Sequence, residues 1–63
     1  MTPTISGPGA LRRALGFCRS DSERELVLVG GTWARPAGRR LIARLLRGGL
    51  AVRVLATRVE VSL

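Results

Sequence analysis

The sequence predicts an α/β fold built on one strand–helix–strand unit, and three observations predict it. A short apolar run, Leu26-Val27-Leu28-Val29, is closed by Gly30-Gly31. An amphipathic stretch opens at Pro36 and stops at Gly48-Gly49. A second β-rich run, Leu50-Ala51-Val52-Arg53-Val54-Leu55-Ala56, follows directly. Strand, glycine turn, helix, glycine stop and strand in about 30 residues is the order of a βαβ unit, whose strands must be parallel and joined by a right-handed crossover.

Taken in order, residues 1–9 hold two prolines and two glycines and read as a flexible lead-in. Ala10, Leu11, Ala14, Leu15 and Cys18 then recur at helical spacing, with Arg12, Arg13 and Arg19 off that stripe. They predict a helix over residues 9–19, opened by Pro8 and weakened by Gly16. The polar stretch Ser20-Asp21-Ser22-Glu23-Arg24-Glu25 reads as a linker, so residues 1–24 form an N-terminal arm. The next segment, 25–58, is the α/β unit, with a strand at 26–29, where an apolar run between turn signals fits a strand covered on both faces. Pro36 suits the first position of a helix over 36–47, and Arg35 before it is biased to extended geometry. Leu41, Ile42, Leu45 and Leu46 form its apolar face, opposite Arg39, Arg40, Arg44 and Arg47. One glycine of Gly48-Gly49 is expected in the left-handed cap, and the second strand runs over 50–56. The tail, 59–63, alternates Val59, Val61 and Leu63, a pattern that fits a third short strand or a frayed end.

Composition narrows the function classes. With no His, Lys or Tyr and one cysteine, Cys18, the chain can form neither an internal disulfide nor a Cys–His dyad nor a mixed nitrogen–sulfur zinc site. Cys18 reads as a small apolar helix residue, and nothing calls for an oxidising compartment, so a cytoplasmic location is expected. The first 20 residues, with Arg12, Arg13, Arg19 and no acid, share a feature of transit peptides, but an amphipathic helix or arm is the simpler reading. No apolar run is long enough to span a bilayer. All 11 basic residues are Arg, and the net charge of +7 favours phosphates, nucleic acid or an anionic surface. Large apolar side chains are few, so self-association or a partner chain is expected to support a segment this small.

The turn from Gly30 to Gly38 is where chemistry is expected. After a strand and before a helix, glycines let the backbone approach a pyrophosphate, and the helix N-terminus favours the anion. Gly30, Gly31, Thr32 and Gly38 are the candidate contacts, Thr32 through its hydroxyl. The run Leu26–Thr32, then Gly38-Arg39-Arg40-Leu41-Ile42-Ala43-Arg44-Leu45-Leu46, then Val52-Arg53-Val54-Leu55, resembles the opening of a short-chain dehydrogenase/reductase, in its epimerase-like and NmrA-like branch. That resemblance covers about half of the chain and implies a single Rossmann-type βαβ unit with NAD(P) as cofactor. Gly30 matches the first fingerprint glycine and Gly38 the last; Trp33 stands where the middle one would be, in a turn two residues longer than the pattern. Beyond the second strand the chain offers Arg58 and no acid, so the resemblance implies NADP(H), with Arg35 as a second phosphate contact. The family's catalytic Tyr and Lys have no counterpart, so the expectation is a truncated segment that is not an enzyme, with weak or absent cofactor binding. Two other readings stand beside it. One is a small basic protein holding nucleic acid or another anionic partner with Arg12, Arg13, Arg39, Arg40, Arg44 and Arg47; the other is a reading-frame fragment without function.

Overall fold

The computed structural model describes residues 2–63, with side-chain surroundings given from Thr4 onward. The chain is a mixed α/β molecule of three helices and a three-stranded sheet. In chain order the elements are β1 (Thr2–Ile5), α1 (Gly7–Gly16), α2 (Asp21–Leu28), α3 (Pro36–Arg47), β2 (Ala51–Val54) and β3 (Arg58–Ser62). The sheet order is β1-β3-β2, with β3 central, parallel to β1 and antiparallel to β2.

Several expectations hold. The helix expected over 9–19 forms as α1, starting two residues earlier and ending at Gly16, so Cys18 and Arg19 lie beyond it. It buries Ala10 and Ala14, four positions apart on one face. Helix α3 begins at Pro36, with Arg35 extended before it, and buries Leu41 and Leu45. It ends in a Schellman motif: the Gly49 N–H donates to Leu46 O at 3.1 Å and the Leu50 N–H to Leu45 O at 3.1 Å. Gly49 takes φ +91°, the left-handed conformation that motif requires. Leu45 and Leu50, the apolar pair that accompanies the motif, are both in the core. The second strand is the shorter β2, and the alternating tail is a true strand with Val59 and Val61 buried.

The βαβ unit does not form. Residues 26–28 are the last turn of α2, not a strand, and Val29 is its C-cap. A strand covered on both faces needs a layer on each side, whereas here Val27 is buried while Leu28 is 61% and Val29 is 76% exposed. The supposed linker, 20–25, is the start of the same helix, held by a capping arrangement. Ser20 Oγ accepts from the Glu23 N–H at 3.2 Å, and Glu23 Oε1 accepts from the Arg19 N–H at 2.7 Å. The parallel pair in the sheet therefore joins β3 to β1, a strand within what reads as a loose lead-in, with Thr2 opposite Arg58 and Ile5 opposite Val61. Pro3 is tolerated there because β1 is an edge strand, where a missing N–H costs no ladder bond. The Ser6 N–H extends the pairing to Val61 O at 2.9 Å.

The core between helices and sheet joins Ala10, Ala14, Val27, Leu41, Leu45, Val59 and Val61 to Trp33, from the α2–α3 loop, which is 1% exposed.

Candidate polyanion-binding site

The glycine turn expected to hold a cofactor connects two helices instead of following a strand. Gly30 and Gly31, at φ +109° and +147°, lead the chain out of α2. With Thr32 and Arg35 they line a depression of about 460 Å³ beside the start of α3, which Ser22 and Glu25 of α2 also border. The two remaining candidates lie elsewhere. Gly38 is buried, and a Cβ there would collide with the backbone of Trp33, so its lack of a side chain serves close packing of the loop on α3. Arg58 is on β3, where its Nε donates to Glu60 Oε2 at 3.0 Å. Trp33, which takes the place of the fingerprint's middle glycine, is a core residue, and its Nε1 has no hydrogen-bond partner.

Arginines converge at the opposite end of α3. Arg44 donates from Nη1 to Glu23 Oε1 at 2.7 Å and to Phe17 O at 2.8 Å, and from Nη2 to Glu23 Oε2 at 3.2 Å. These bonds tie α3 to α2 and to the end of α1. Glu23 is 3% exposed, and Arg44 holds its carboxyl below the usual glutamate range, against the opposing effect of burial, with the Arg19 N–H assisting. The same carboxylate keeps the Arg44 guanidinium firmly charged, by hydrogen bonding first. Arg13 of α1 reaches across to Gly48 O at 2.8 Å. Gly16, Phe17, Arg19, Arg44, Arg47 and Gly48 line a depression of about 440 Å³ between these anchors. Gly48 has no room for a side chain, because the Phe17 ring occupies the space a Cβ would take.

Electrostatically this end is unbalanced. Glu23 is the one acid against the cluster and is committed to Arg44, while Arg13, Arg19 and Arg47 are exposed and form no ion pair among the described residues. Arg40 lies one turn before Arg44 on α3, exposed, and its charge also acts on Glu23. By contrast Arg24 is paired with Asp21, and Arg53 and Arg58 with Glu60. Of the six arginines expected to hold an anionic partner, Arg44 and Arg47 line the depression, Arg13 bonds to its Gly48 edge and Arg40 lies a turn away on α3. Arg39 lies in a groove against β2, and Arg12, exposed on α1, lines neither. Arg19 was not among the six. Its place is set by the Ser20-x-x-Glu23 cap that follows it, a signal present in the sequence.

Nothing in this cluster provides an activated nucleophile. The Cys18 thiol donates to Ala14 O at 3.3 Å, and burial, with the charge of Glu23 adding to it, pushes its pKa up. Among the described residues no group of His, Cys, Asp and Glu side chains could hold a metal ion, and no helix is long and apolar enough to cross a membrane. No protein-family model, curated protein or solved structure matches the chain.

Proposed function

We propose that the chain is a small nucleic-acid-binding module that grips phosphates with Arg19, Arg40 and Arg47, flanked by Arg13. The observation that carries this reading is a depression lined by Arg19 and Arg47, both exposed and in no ion pair among the described residues, with Arg13 bonded to its Gly48 edge, Arg40 a turn away on α3, and the neighbouring acid Glu23 consumed by Arg44. A guanidinium fork matches phosphate oxygens two at a time and stays charged at any physiological pH. Arg40 and Arg47 lie seven positions apart on α3, about 10 Å along the axis, so the site spans more than one phosphate of a backbone. Arg44 acts as the positioning residue, since its bonds to Glu23 and Phe17 fix the helix ends from which the others project.

Fluorescence anisotropy with a labelled DNA duplex tests the reading. Three phosphate contacts give a slope of log affinity against log salt of roughly −2.7, so binding falls about 40-fold between 50 and 200 mM salt. Arg19→Ala and Arg47→Ala each reduce that slope by about 0.9. Binding that ignores salt, or variants that leave the slope unchanged, overturns the proposal. Titration with NADPH in the same buffer gives no saturation below millimolar concentration. Micromolar affinity there would favour a dinucleotide at Gly30, Gly31, Thr32 and Arg35 instead.

A further inference from the structure

The exposed side of α3 that turns toward the hairpin is apolar. Ile42, Ala43 and Leu46 of α3, Val54 of β2 and Trp33 line a groove of about 470 Å³, with Arg39 as its one charged residue. Leu46 is 52% and Val54 57% exposed, so two of the five large apolar side chains exposed among the described residues border this one groove. Lone exposed apolar residues are ordinary on a protein surface, but a contiguous apolar groove marks a contact site.

We propose that this groove receives a short amphipathic helix of a partner protein, apolar on one face and acidic on the flank that meets Arg39. The shape argues for a helix. Arg39, Ile42, Ala43 and Leu46 follow the i, i+3, i+4, i+7 spacing and form a stripe about 10 Å long, matching two turns of a facing helix and its own apolar stripe. Charge argues for an acidic one. No acid lines the groove, Arg39 stands at one end of the stripe, and the whole chain carries +7. A second copy of the chain is the poorer occupant, because the same face of a copy offers Arg39 no acid and the pairing brings two strongly positive molecules together. The surface is separate from the phosphate-binding cluster, which uses neither Arg39 nor Leu46.

Three synthetic helical peptides of roughly 15 residues test the proposal. The first has Leu at i, i+3, i+4, i+7 and Glu on the flanks; the second replaces each Glu by Lys; the third scrambles the first, keeping its charge but breaking the apolar stripe. In methyl NMR titrations of the full chain, only the first is expected to bind saturably, shifting the methyl signals of Ile42, Leu46 and Val54. Leu46→Ser, at a half-exposed position, weakens that binding roughly tenfold or more and leaves the affinity for the labelled duplex unchanged. The proposal fails if the scrambled peptide binds as well, because the protein then responds to negative charge alone. It also fails if the Lys peptide binds as well, or if the free chain sediments as a dimer with the same methyls broadened.

Discussion

Gly38 and Glu23 each trade one expected role for another. The nine-residue glycine turn marks Gly38 as a place where backbone meets a ligand, yet the backbone it meets is that of Trp33. Gly38→Ala is therefore expected to destabilise the fold by at least about 2 kcal/mol, read by chemical denaturation, because backbone cannot yield as a side chain can. Glu23 looks like part of a solvated linker and is instead the most buried charged residue described. Its carboxyl is held below the usual range by Arg44, so folding favours the ionised form. That contribution is complete above about pH 5 and is lost as the pH falls through roughly 4.3, the unfolded value, and on through the lowered folded one. Thermal melts from pH 7 to pH 3 should thus show Glu23→Gln melting lower than the parent at neutral pH, with the gap narrowing in acid. A constant gap would show that the pair contributes nothing through its charge.

At the scale of elements, α2 decides how the chain is read. Four apolar residues between a polar stretch and two glycines satisfy a buried strand and a helix end equally, and periodicity cannot separate them in so short a run. The separating signal is local: Ser20 three positions before Glu23 has the spacing of a capping box, and Ser20 caps the Glu23 N–H while the Glu23 carboxylate takes the N–H of Arg19, one residue before the cap. Ser20→Ala removes that cap and should cost about 1 kcal/mol, lowering the melting temperature by about 4–8 °C in a domain of this size. Helix α3 was legible throughout, since Pro36, the stripe through Leu41 and Leu45, and Gly48-Gly49 all act within a few residues of one another. Strand β1 was not, because its partner β3 comes at the other end of the sequence and nothing in Thr2–Ile5 names it. The basic cluster falls between these cases. The α3 arginines share a face by helical spacing alone, but bringing Arg13 and Arg19 to them depends on how α1 and α2 pack, which the mistaken strand concealed.

For the whole molecule, the sheet depends on both ends of the chain. Beginning the chain at Gly7 deletes β1, bares one edge of β3 and takes away Ile5, which packs against the core. The shortened chain should melt at lower temperature and aggregate through that edge, detectable by light scattering. An unchanged melt would mean that the hairpin and helices suffice. The same parallel pairing also orders events in time. Each helix closes through contacts a few residues apart, on a microsecond scale or faster, and β2 meets β3 across a short turn. The β1–β3 ladder must close a loop containing nearly everything else, and such distant contacts form slowly because chain entropy is lost before they reward it. Refolding should therefore show helical signal before the sheet is complete, with the two open edges of the hairpin as the window in which a copy of the chain can capture another.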